Sequence, residues 1–194
     1  MMSNAEAAVR ARAREYLASR GTHAPASEIH GRVAAAFDAL EEFLARVPPE
    51  RAALRPIPGE WAVQEVADHV LETHRPGLDE LRCLLAGRRP PGDAIPAGLQ
   101  SKAPLLRPWS WLLAELDRLH HDIRQTLAGV TADFATDARA PLVMVANVTE
   151  EDGTIRPVHW VEELDWKAYA ITWRLHAIDH LNQARKILAA CGSR

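Results

Sequence analysis

The sequence predicts an all-α protein: a four-helix bundle with a short N-terminal helix and a small β-hairpin before the last helix. Three observations carry that expectation. Apolar residues recur at three- and four-residue steps through several long segments, which is the period of a helix with one buried face. Proline and glycine clusters break the chain at intervals that leave four long helices. One stretch, residues 141–160, loses the helical period and holds a short apolar, β-branched run beside an Asp152-Gly153 turn signal.

Residues 5–20 are rich in Ala and Arg and favour a helix, with Gly21 as its expected stop. Ser27 offers an N-cap for the next helix, in which Ile29, Val33, Phe37, Leu40 and Leu44 form one apolar stripe, and Pro48-Pro49 ends it. The connector Arg55-Pro56-Ile57-Pro58-Gly59 is extended, because its two prolines exclude helix. Helix resumes from Glu60, with Pro76 expected to kink or break it after His74. A Pro/Gly-rich loop over residues 88–102 follows, long enough to suggest a functional rim. A third long helix begins near Pro108. The hairpin comes next, with strands at residues 142–148 and 154–160, and the last helix spans residues 161–190. Residues 1–26 are expected to be an N-terminal helical extension, and residues 27–192 the bundle.

Composition narrows the function. With 47% hydrophobic and 25% charged residues in a chain of 194, the profile is that of a soluble globular protein of one domain. A net charge of −3 gives no electrostatic reason to expect nucleic acid or a membrane surface as partner. No apolar run approaches the roughly 20 residues of a membrane span, and the first residues lack a signal-peptide core. Two cysteines without a CxxC fit a reducing compartment, so a cytoplasmic location is expected. No P-loop, nucleophile elbow or Rossmann glycine pattern occurs.

The chemistry-bearing residues are histidines. His176 and His180 stand four apart on the last helix, so both project from one face and can bite a single ion. The spacing alone is weak evidence, since nine histidines in 194 positions give roughly 0.4 such pairs by chance. His69 strengthens it. That residue lies eight after Trp61, between apolar neighbours, where an imidazole must be neutral and hydrogen-bonded or a ligand. If its helix packs on the last one, three imidazoles meet inside the bundle, leaving positions open on the ion as catalytic sites do. Such a donor set suits a divalent metal, zinc or nickel first and then iron(II) or copper.

These residues also carry a resemblance. The string Trp61-Ala62-Val63-Gln64-Glu65-Val66-Ala67-Asp68-His69-Val70 resembles the signature opening the second helix of the DinB/YfiT-like superfamily. The pair His176 and His180, followed by Gln183, is similar to that family's H-x-x-x-H-x-x-Q on the final helix. The resemblance implies a DinB-like up-down bundle with a crossover, a three-histidine metal site at His69, His176 and His180, and a homodimer. It implies a small-molecule substrate and a hydrolase or low-molecular-weight-thiol S-transferase; the alternative is a non-catalytic metal-binding stress-response protein. Two departures stand out: Ala62 where the family has Ser or Thr, and the hairpin, which reshapes the mouth of the site.

Other residues are weighed against simpler roles. Glu72, three after His69, is a candidate general base or a surface carboxylate. His74 turns away from the His69 face. Asp179 is a partner for a ligating imidazole or a solvated position. His120 and His121 point in different directions, to core or solvent, and His159 sits at the hairpin exit. Trp109, Trp111, Trp160, Trp166 and Trp173 are core residues or pocket walls. Arg75 and Arg107 are candidates to bind an anionic thiol or carboxylate, though nothing in the sequence selects them.

Overall fold

The computed structural model describes residues 2–150 and 152–192. Helix α1 (Asn4–Leu17) starts at Ser3, whose hydroxyl accepts the Glu6 N–H, and runs into a π-helical turn (Ala18–Thr22). Helices α2 (Ala26–Ala45), α3 (Pro49–Ala52), α4 (Val63–Leu85), α5 (Trp109–Ala128) and α6 (Trp166–Ala190) follow, with the antiparallel strands β1 (Ala140–Thr149) and β2 (Ile155–Leu164) between α5 and α6.

The expected apolar stripe of α2 is buried in full: Ile29, Val33, Phe37, Leu40 and Leu44 all lie in the core. They meet Leu112, Leu116 and Ile123 of α5, Val66, Val70 and Leu81 of α4, and Ala177, Leu181 and Ile187 of α6 in one cluster. Burial of each such side chain contributes about 1.5–3 kcal/mol, which makes this cluster the main support of the fold. Packing partners define the topology. Helix α2 packs on α5 and α6, and α4 packs on the same two, so α2 and α4 occupy opposite corners of the bundle. Chain-consecutive long helices therefore cross the bundle diagonally from α2 to α4 and again from α5 to α6.

Several local expectations are corrected. Gly21 does not end α1 with a left-handed residue; it sits inside the π turn because a Cβ there would come within 2.6 Å of the Ala168 Cα on α6. Pro25, not Ser27, is the N-cap of α2. Pro48 and Pro49 do more than stop α2, since they start α3 as its N-cap and first residue. Helix α4 begins at Val63 rather than Glu60 and passes through Pro76 without ending. The strands reach ten residues each, so Val161 to Leu164 belong to β2 and α6 waits for the Asp165 N-cap. The turn lies where Asp152-Gly153 places it, with Gly153 at a φ of 83° that glycine adopts without strain.

One face of the hairpin, through Val148, Val158 and Trp160, packs on Ala5, Val9 and Ala13 of α1. Arg14 pairs with Glu162 at 2.8 Å and Arg156 with Glu6 at 3.2 Å, so the N-terminal extension covers the inner face of the sheet. Among the described residues, no helix is long and apolar enough to cross a membrane.

Candidate metal centre

The fourth and sixth helices bring His69, His176 and His180 together. His69 Nε2 and His180 Nε2 each lie 3.1 Å from His176 Nε2, and one ring nitrogen from each residue falls within 4.8 Å of the other two. Each ring is anchored at its opposite nitrogen. His69 Nδ1–H donates to the Leu99 carbonyl at 2.7 Å, and His180 Nδ1–H to the Gln183 side-chain oxygen at 2.8 Å. His176 Nδ1 meets His74 Nε2 at 3.0 Å.

Those anchors decide what the converging atoms are. A carbonyl oxygen accepts and cannot donate, so Nδ1 of His69 and of His180 carries the proton, and Nε2 of each neutral ring presents a lone pair. The rings are held neutral. Burial pushes all three imidazoles below their ordinary range, His176 well below it and His180 to about 4. With Nε2 of His176 unprotonated as well, three lone pairs face one another across 3.1 Å contacts and repel unless a cation sits between them. A nitrogen–nitrogen edge of about 2.9–3.4 Å is what metal–nitrogen bonds of about 2.0–2.1 Å produce between octahedral and tetrahedral angles. The donor set, its protonation and its spacing thus fit a divalent metal.

The motif residues around the three imidazoles have visible structural roles. The Trp61 ring lies 5.1 Å from His69 and 6.4 Å from His180, centroid to centroid, and wedges the two imidazoles in place. Glu65 reaches back to the Ala62 N–H at 2.8 Å, closing the first turn of α4 from one side, and also pairs with Arg55. Ala62 has no oxygen to offer in return, so only half of the usual reciprocal cap is made.

The loop over residues 88–102 is tied down rather than free. Besides the Leu99 carbonyl on His69, Gln100 donates to the Glu65 carbonyl at 3.0 Å. Ser101 gives both its N–H and its hydroxyl to Asp68, each at 2.8 Å. Asp68 is fully buried and also meets Arg107 at 2.9 Å. The rim is thereby stapled to the residue preceding His69.

The remaining candidates fall in different places. Glu72 accepts from Arg107 at 2.7 Å and lies 3.5 Å from Arg75, so its carboxylate is engaged by guanidinium. Arg107, a candidate for an anionic substrate, is held by Asp68 and Glu72 and lies over the Trp111 ring. Arg75 pairs with Glu72 and with Glu115 at 3.6 Å. Asp179, His121 and His159 are exposed. Trp109, Trp160, Trp166 and Trp173 are buried, whereas Trp111 is not.

His74 follows its spacing. It turns away from the His69 face, but that direction points it at the far nitrogen of His176, and it is buried. His120, on α5, is buried too and stacks on Phe37 with ring centroids 3.7 Å apart. The signal for both was available only as histidines within apolar helical stretches, which by itself does not distinguish a packed imidazole from a partner of a ligand.

Comparison with known proteins agrees with this picture. No curated protein matches the chain. A solved structure that it resembles is YfiT from Bacillus subtilis, described as a probable metal-dependent hydrolase with an unusual four-helix bundle topology. The TM-score is 0.54 at 16% identity, over 83% of this chain and 86% of that one, which shows a shared fold. The family model described as the DinB superfamily matches residues 32–184, the span that holds the three converging imidazoles, Trp61 and Gln183. By that match the chain belongs to the DinB superfamily.

Proposed function

We propose that the protein is a metal-dependent enzyme in which His69, His176 and His180 hold one divalent metal, zinc or nickel first and iron(II) next. The observation that carries this reading is the convergence of three Nε2 atoms whose rings are all engaged elsewhere at Nδ1. A metal so held supplies Lewis acidity, which lowers the pKa of a water or a low-molecular-weight thiol and turns it into a nucleophile at neutral pH. The chain's own residues keep the donors aimed: the Leu99 carbonyl and Gln183 fix two rings, and Trp61 packs against both. Three protein ligands leave positions open for a small-molecule substrate.

Hydrolysis is the first choice between water and thiol. The description of YfiT as a probable metal-dependent hydrolase supports it, as does Glu72, a carboxylate one helical turn from His69. In this reading Glu72 is the general base, oriented by Arg107. The protein acts in the cytoplasm as a homodimer, which light scattering of the purified chain checks.

The deciding experiment is metal analysis of the purified protein beside His69→Ala and His180→Ala. The wild type carries stoichiometric metal and both variants lose it, together with metal-dependent turnover of activated esters or of electrophiles supplied with a thiol. Full metal content in both variants overturns the site. Stoichiometric metal without turnover of any such substrate favours the non-catalytic metal-binding reading.

A further inference from the structure

Behind His176 the hydrogen bonding continues through the whole bundle. His176 Nδ1 on α6 meets His74 Nε2 on α4 at 3.0 Å. His74 Nδ1 meets His120 Nε2 on α5 at 3.1 Å, and His120 Nδ1 meets the Glu41 carboxylate on α2 at 2.6 Å. Glu41 is itself held by Arg124 at 3.0 Å, which also binds Asp38 at 2.8 Å. Each of the four long helices contributes one link.

The chain has only one consistent polarity. Burial raises the Glu41 carboxyl, but its hydrogen bonds from His120 and Arg124 prevail and keep it below its ordinary range, hence ionised. An ionised carboxylate only accepts, so His120 must carry its proton on Nδ1. His120 and His74 are buried, where a charged imidazole is costly, so each ring has one donor and one acceptor. With Nδ1 of His120 donating, its Nε2 must accept from His74 Nδ1–H, and His74 Nε2 must accept from His176 Nδ1–H. The direction set at Glu41 is therefore transmitted, ring by ring, to the far side of His176. In water the Nε2–H form of a neutral histidine is favoured, which would place a proton where the metal should bind.

We propose that Glu41, His120 and His74 form a carboxylate–imidazole relay that locks the tautomer of His176 and so presents its Nε2 lone pair to the metal. The proposal rests on the metal reading of His69, His176 and His180 given above. The three are positioning residues. They act through His176, as the carboxylate behind a metal-bound histidine does, but across two intervening rings. The arrangement also accounts for two buried imidazoles whose cost of desolvation is offset only if every ring nitrogen is paired.

The test uses ring-15N-histidine-labelled, metal-free full-length protein near pH 8, with tautomers read from two-dimensional long-range 1H–15N spectra. His74, His120 and His176 are expected in the Nδ1–H form; Nε2–H at His74 or His176 overturns the relay. Glu41→Ala removes the terminal acceptor and is expected to leave His120 and His74 as tautomer mixtures. It should also weaken Zn2+ binding, measured by chelator competition, about tenfold. Glu41→Gln keeps an acceptor oxygen at the same place and restores both readouts; the tautomer change in Glu41→Ala is the readout that a merely structural contribution would not move. An unchanged tautomer pattern and Zn2+ affinity in Glu41→Ala overturns the proposal. The wild-type spectrum decides the matter even if a variant fails to fold. A wild type with the Nδ1–H pattern but no Zn2+ binding supports the relay and overturns the metal centre, so the two can fail separately.

Discussion

Asp68 shows how much a single side chain beside His69 does in this protein. Its two oxygens are fully buried and shared among the Ser101 N–H, the Ser101 hydroxyl and the Arg107 guanidinium. Removing it leaves those donors unmatched and releases the loop that delivers the Leu99 carbonyl to His69. Asp68→Ala is therefore expected to destabilise the fold by about 2–3 kcal/mol, toward the lower end because Arg107 keeps some access to water. Urea denaturation checks it, and a loss below about 0.5 kcal/mol would mean that the loop holds without this staple. At the same scale, helical spacing made His176 and His180 legible as a pair on one face, and the family resemblance marked Trp61, His69 and Gln183 beside them. The sequence left His74 and Glu41 illegible. Their roles depend on which nitrogen of a neighbouring ring they reach across a gap between helices, and no local spacing encodes that.

Among the elements, α2 and α4 were read with unequal success, for a physical reason. The stripe from Ile29 to Leu44 is one uninterrupted face and lies buried as expected. In α4, Pro76 removes one backbone N–H and strains the preceding turn, a cost of about 3 kcal/mol in a helix interior. The helix continues because buried residues on both sides, Val66, Val70 and Leu71 before and Leu78, Leu81 and Leu84 after, stabilise it by more than that. Glycines illustrate the same contrast between local preference and packing. Gly31 lies mid-helix on an exposed face of α2, where a Cβ would meet nothing within 4 Å, so Gly31→Ala should stabilise by about 0.5–1 kcal/mol. Gly21→Ala should instead cost about 1–3 kcal/mol, since the added methyl would drive the π turn off the Ala168 backbone at 2.6 Å. Midpoint shifts of opposite sign in chemical denaturation are the expected result; a stabilised Gly21→Ala would show that the turn can move away from α6.

For the molecule as a whole, the buried imidazoles couple stability to pH. His69, His74, His120, His176 and His180 are all depressed by burial from an ordinary value of 6.5, His180 to about 4. They are neutral when folded, whereas the unfolded chain protonates them as pH falls below about 6.5. The unfolded state thus binds more protons, and stability must drop with falling pH. Metal-free protein should accordingly keep its full histidine-linked stability above pH 6.5 and lose it progressively as pH falls toward 4 and below. Melting temperatures in chelator across that range test this, and a flat profile between pH 6.5 and 4 would contradict neutral burial of the rings. Saturating metal raises the melting temperature above pH 6.5, because it binds only the assembled neutral donors.

The sequence by itself determined the class of fold, the hairpin before the last helix, the buried stripe of α2 and the three imidazoles that converge. The first three follow from periodicity and turn signals along single chain segments; the convergence of the imidazoles was expected only if two distant helices packed together, as the family resemblance implied. The tertiary structure alone decided that α2 and α4 stand at opposite corners and that the loop over residues 88–102 is stapled to α4. It alone also showed that Glu41, His120 and His74 stand in line behind His176. Helical spacing tells which side chains share a face, but not the axial offset and pairing of four helices. A hydrogen bond between rings on different helices exists only when that offset is right to within a fraction of an ångström.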